Sequence, residues 1–130
     1  MLFSWNNYEE KFDKERYKPK EWESKVSAGE QYYRLFDSLI TSGAYMNLSV
    51  YAKTLYTYML REAHKSKQFF DVGEFGFSIS TGLKYLNCSK PKVIMCIEEL
   101  IESGFIQRTN NSKYAKITSK FCFSDKWKHV

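Results

Sequence analysis

Ser89-Lys90-Pro91-Lys92-Val93-Ile94-Met95-Cys96-Ile97-Glu98-Glu99-Leu100-Ile101-Glu102-Ser103-Gly104-Phe105-Ile106 is the most informative stretch of this chain. Ser89 is a good N-cap, because its hydroxyl can accept from a first-turn N–H that has no partner within the helix. Pro91 falls in that first turn, where its missing N–H is no loss. Val93, Cys96, Ile97, Leu100 and Ile101 then keep helical spacing and form one inward stripe. The helix runs to Ser103, and Gly104 supplies the left-handed stop. Beyond Gly104 the apolar period changes from 3.6 to 2, so Phe105–Thr109 reads as a strand. Asn110-Asn111-Ser112-Lys113 is a polar turn of the kind that accepts positive φ. Tyr114–Phe123 alternates as a second strand, with Ile117, Phe121 and Phe123 as candidates for one face.

Upstream, Asn87-Cys88-Ser89 is a tight turn preceded by a short helix that ends at Leu86 and is capped by Ser78 or Ser80. Ile79, Leu83 and Leu86 point inward from it, and a short strand is expected around Phe75–Phe77. Earlier still, Ser49 caps a helix of about 14 residues. Its stripe is Ala52, Leu55, Tyr56, Met59, Leu60 and Ala63, with Lys53, Thr57 and Arg61 facing out. His64-Lys65-Ser66-Lys67-Gln68 is its polar exit. Between residues 31 and 46 two patterns compete. Tyr32, Leu35, Phe36, Leu39 and Ile40 keep helical spacing, yet Asp37 is a good N-cap for a short helix from Ser38 that follows an extended Tyr32–Phe36. Residues 1–30 mix charges with Trp5, Tyr8, Phe12, Tyr17 and Trp22, and Pro19 interrupts any long helix. They read as an N-terminal arm on a domain covering residues 31–130.

The charge is unevenly placed. Of the net +5, residues 1–30 contribute −1, from six basic and seven acidic side chains. Residues 31–130 contribute +6, from fourteen and eight. Over residues 104–130, Arg108, Lys113, Lys116, Lys120, Lys126 and Lys128 face the single acid Asp125. Phe75–Ile97 is free of acids and holds Lys84, Lys90 and Lys92. A basic excess confined to particular elements points to an anionic partner. No apolar run approaches the ~18 residues of a membrane span, and no signal-peptide pattern opens the chain. Cys88, Cys96 and Cys122 are odd in number with no Cys-x-x-Cys, as expected of buried or half-buried thiols in a reducing compartment. A cytoplasmic protein without a cofactor is therefore expected, and no metal is expected because His64 and His129 lack a second ligand type at metal-binding spacing.

Helix, short strand, short helix, tight turn, longer helix and hairpin is the order of a winged helix, an α+β fold. Its second turn-linked helix usually enters the major groove, and the hairpin, or wing, lies along phosphates. Residues 89–106 resemble the winged helix-turn-helix signature, in which a Ser-capped helix ends in Leu-x-x-x-Gly-Phe/Leu-Ile. Asn47-Leu48-Ser49, Ala52-Lys53, Leu55-Tyr56 and Tyr58-Met59-Leu60 are similar to the first helix of a narrower group. That group holds small winged-helix proteins and replication-initiator N-terminal domains of Gram-positive plasmids, conjugative elements and phages. Phe123-Ser124-Asp125-Lys126-Trp127-Lys128 resembles its end, and the resemblance spans about residues 33–128. It implies double-stranded DNA binding in replication or transcription control of a mobile element or its host.

One departure is informative. The family often has polar or arginine side chains where this chain has Ile94 and Met95. Those two suit thymine methyls rather than bidentate base readout, or they suit a protein surface, which is the rival function. The expected DNA-binding set is Lys84, Lys90, Lys92, Ile94, Met95, Arg108, Lys113, Tyr114 and Lys116. Lys90 and Lys92 sit at a helix N-terminus, where the dipole disfavours cations unless a phosphate is bound. Tyr85 has packing as its expected use. Catalysis is not expected. Gly73-x-x-Gly76 and Gly82 form neither a dinucleotide fingerprint nor a phosphate loop, and Glu98 and Glu99 point to different sides of their helix. If the protein dimerises, Trp5, Tyr8 and Phe12 are the expected contact.

Overall fold

Four N-capping side chains set the helical framework. In the computed structural model, which describes residues 32–110 and 118–129, Ser42, Ser49, Ser78 and Ser89 each accept a hydrogen bond from the third residue beyond them. They open α2 (Gly43–Met46), α3 (Val50–His64), α5 (Ile79–Leu86) and α6 (Lys90–Glu102). Two further helices have no side-chain cap, α1 (Asp37–Ile40) and α4 (Lys67–Val72). The strands are β1 (Phe75–Gly76), β2 (Ile106–Arg108) and β3 (Lys120–Phe123), and a 3-10 turn covers Lys126–His129. The N-terminal arm and residues 111–117, with Lys113, Tyr114, Lys116 and Ile117, lie outside the described residues.

The sheet has the order β1-β3-β2 and is antiparallel throughout. Its middle strand sets Phe121 opposite both Phe75 and Arg108, and Ile106 lies opposite Phe123. The fold is thus α+β and winged-helix-like: α3, β1, α5 and α6 precede a β2–β3 hairpin in chain order.

The core lies between α3, α6 and this sheet. Ala52, Leu55, Tyr56, Leu60, Val93, Ile97, Leu100 and Ile106 are buried as their spacing predicts, and Leu83 is half-buried at the margin. Phe75, Phe105 and Phe121 are its largest fully buried side chains. Tyr56 packs edge-on against Phe105 at 5.7 Å and Phe123 at 5.6 Å. Edge-to-face contacts of this kind add about 0.5–1.5 kcal/mol beyond area burial.

Two glycines are demanded by the packing. A Cβ on Gly82 would stand 2.6 Å from Val93 Cγ1, so α5 approaches α6 more closely than any side chain there permits. Gly104 has φ +86°, and a Cβ would meet the Trp127 nitrogen at 2.6 Å. Asn87 closes the interhelical turn in the left-handed region at φ 50°, which its side chain tolerates better than most.

Three expectations need correction. Asp37 is the first helical residue rather than the cap, and Phe36 occupies the cap position without a side-chain bond. Of the two patterns that compete over residues 31–46, the short helix after a non-helical start is the one that forms. The polar exit after α3 turns directly into α4, because Phe69 can pack against Phe75, Phe123 and His64. Finally, the pattern of residues 124–128 predicts an irregular tail, whereas Lys126–His129 form a 3-10 turn. Trp127 lies parallel to Phe105 at 5.8 Å, and its N–H donates to the Gly104 carbonyl at 3.2 Å.

Candidate nucleic-acid interface

The buried residues of α6 are Val93, Cys96, Ile97 and Leu100, so the opposite face is left to solvent. Helical spacing divides that outer face into two flanks, and each has a different neighbour. Lys92, Met95 and Glu99 recur at i, i+3 and i+7 on the flank towards the start of α3. There Lys92 Nζ lies 5.0 Å from the centre of the Tyr51 ring, a cation–π contact. Glu99 accepts from Ser49 N–H at 2.7 Å and from Ser49 Oγ at 2.8 Å. Since Ser49 in turn accepts from Ala52 N–H at 3.2 Å, a carboxylate of α6 completes the cap of α3. Ile94 and Glu98 occupy the flank towards the hairpin. Glu98 Oε1 pairs with Arg108 of β2 at 3.3 Å.

The first turn of α6 carries Lys90 and Lys92 and no acid. Ile94 is 42% and Met95 63% exposed, so two apolar side chains stand where a buried stripe cannot use them. Val50 and Tyr51 at the start of α3, and Met46 at the end of α2, are exposed too, and Lys92 connects Tyr51 to this face. Lys84 is exposed in the last turn of α5 with its Nζ over the ring of Tyr85. Tyr85 is committed to packing. Its hydroxyl accepts from Arg61 at 2.6 Å and donates to Glu62 at 2.8 Å, while its ring stacks on Tyr58 at 4.2 Å. The bond to Glu62 is the first cause that holds the phenol above its ordinary range.

Of the expected set, then, Lys84, Lys90, Lys92, Ile94 and Met95 are surface side chains of α5 and α6. Arg108 is only 24% exposed and engaged, donating to Glu98 and to Ser119 Oγ and lying over the Phe121 ring. Lys113, Tyr114 and Lys116 are outside the described residues. Sequence reasoning missed the partners of Glu98, Glu99 and Lys92, which come from elements 10, 50 and 41 residues away respectively. Burial pushes the Cys96 thiol up, which suppresses the thiolate. Among the described residues no group of His, Cys, Asp and Glu could hold a metal, and no helix is long and apolar enough to cross a membrane.

These elements define a winged-helix-like domain with a lysine-flanked, partly apolar helix face. No family model matches the chain, and no curated protein matches it. One solved structure, described as the N-terminal domain of DNA binding protein, is similar with a TM-score of 0.56. The match covers 96% of this chain and 83% of that one at 16% identity. At such identity the likeness is one of fold.

Proposed function

We propose that this protein binds double-stranded DNA without catalysis, with α6 as the recognition helix and the β2–β3 hairpin as the wing. The observation that carries this is the first turn of α6. Two lysines crowd the positive end of a 13-residue helix with no acid in that turn, a placement that disfavours the folded protein unless an anion arrives. Lys84 lies on the helix before it, and the tight Gly82–Val93 contact ties the two helices together. The similar solved structure, by its description, is from a DNA-binding protein, which agrees with this function. Lys84, Lys90 and Lys92 would hold phosphates, with Lys113, Tyr114 and Lys116 extending the contact along the wing. Ile94 and Met95 would meet thymine methyls. A role in replication or transcription control of a mobile element or its host follows from the sequence resemblance, and a cytoplasmic location from the odd, unpaired cysteines. A homodimer through the arm would match a two-fold operator.

A second function has its own support. Met46, Val50, Tyr51, Ile94 and Met95 are exposed apolar side chains, which suits a protein partner. Salt separates the two. In a gel-shift titration with random duplex, DNA affinity falls steeply from about 50 to 200 mM salt as counterions are released. An apolar interface responds little. Failure to bind any duplex at the lower salt would refute the DNA function.

A further inference from the structure

The Glu98–Arg108 pair joins the outer face of α6 to β2 at the partly exposed surface. We propose that Glu98 competes with the DNA backbone for Arg108, holding that charge in reserve and restraining indiscriminate binding to phosphate. The proposal rests on the DNA-binding function above.

Three features of the geometry support it. Arg108 Nη2 faces Glu98 Oε1 at 3.3 Å, Nη1 donates to Ser119 Oγ at 3.2 Å, and the guanidinium lies 5.2 Å from the centre of the Phe121 ring. The side chain is therefore held against the sheet by a ring and a hydroxyl, not by the carboxylate alone. Second, Glu98 is the more exposed partner, at 47% against 24%. Glu98 is thus the member of the pair that an arriving phosphate meets first, and the two anions compete for one guanidinium that the carboxylate already holds. Third, Glu98 is one turn beyond Ile94 on the same flank of α6. A helix seated in a groove would bring this carboxylate close to backbone phosphates, which repel it unless Arg108 neutralises it. While the pair persists, Arg108 releases no counterion on binding. Once Glu98 loses its charge, Arg108 becomes one additional phosphate contact.

The test is a set of salt titrations on random duplex with the full chain and the variants Glu98→Gln, Arg108→Gln and the double variant. Glu98→Gln should bind more tightly and steepen the slope of log K against log salt by about 0.9. Its gain should shrink on the order of three- to fourfold between about 50 and 200 mM salt. Arg108→Gln should leave the wild-type slope unchanged, and the double variant should return to it. Should Arg108→Gln unfold the protein, Arg108→Met keeps the stem over Phe121 and takes its place. A gain from Glu98→Gln that persists without Arg108 would mean simple repulsion and overturn the proposal. So would no change in Glu98→Gln, or a slope reduced by one in Arg108→Gln, and each of these leaves DNA binding itself standing. Absence of duplex binding by the wild type overturns both.

Discussion

Replacing Gly104 by alanine isolates the contact that joins the end of α6 to the tail. At φ +86°, an L side chain costs about 1–2 kcal/mol for the left-handed backbone alone. The new Cβ would also stand 2.6 Å from Trp127 N, 2.8 Å from Lys126 C and 2.9 Å from Lys126 Cβ. Two of these are backbone atoms, so the clash cannot be relieved by rotating a side chain. The 3-10 turn has to move. Moving it breaks the Trp127-to-Gly104 hydrogen bond, worth about 1 kcal/mol net. It also parts the Trp127 ring from Phe105, a stacked contact worth about 0.5–1.5 kcal/mol. The expected loss is therefore about 3 kcal/mol, or a fall in Tm of roughly 10–15 °C. Gly73 provides the internal control. It too is left-handed, at φ +80°, but a Cβ there meets nothing within 4 Å, so Gly73→Ala should lose only the backbone share. Urea denaturation of both variants, and of Gly104→Ala in a Trp127→Ala background, measures the difference. Equal losses at Gly73 and Gly104, or no coupling between Gly104 and Trp127, would refute the reasoning.

Leu55→Ala or Ile97→Ala should each destabilise by ~2–5 kcal/mol in the same assay, since both side chains are buried in the core. Tyr56 is pushed up to about 12, by burial first and by Tyr45 second. Because the folded state holds this proton more tightly, its contribution is intact below pH 10 and disappears as pH rises towards 12, by at most roughly 2–3 kcal/mol. Tyr56→Phe should flatten that alkaline limb of a denaturation-against-pH curve, and an unchanged limb would show that other groups set it. Met95→Glu should abolish duplex binding through repulsion, whereas Met95→Ala should relax sequence preference by ~1–3 kcal/mol or less. Unaltered DNA affinity in Met95→Glu, with loss of a protein complex, would transfer α6 to the rival function.

The lysines and apolar residues of the candidate interface were legible in the sequence as a position on a helix, but their electrical state was not. Lys90 and Lys92 belong to the first turn of α6 because Ser89 and Pro91 mark that turn. That Lys92 lies over Tyr51, and that Arg108 is shared between Glu98, Ser119 and Phe121, depends on separate elements meeting in space. Glu98 and Glu99 show the same division. Adjacency on a helix predicts that they diverge, and they do, but nothing local says that one finds Arg108 and the other Ser49.

What the sequence determined by itself is what short-range physics controls. Serine caps, a first-turn proline, the stop at Gly104 and the change of period after it specify α3, α5, α6 and β2 within a residue or two. Each signal acts over a few residues, through backbone groups that must be paired or a stripe that must be buried. The tertiary structure alone decided α4, the ordered tail and the contacts of Phe75 with Phe121 and Phe123. None of these has a strong local preference. Lys67–Val72, which begin within a polar exit, become helical because Phe69 finds an aromatic cluster, and the tail turns because Trp127 finds Phe105. Their stability comes from partners remote in the chain, and a pattern confined to neighbouring residues does not contain those partners.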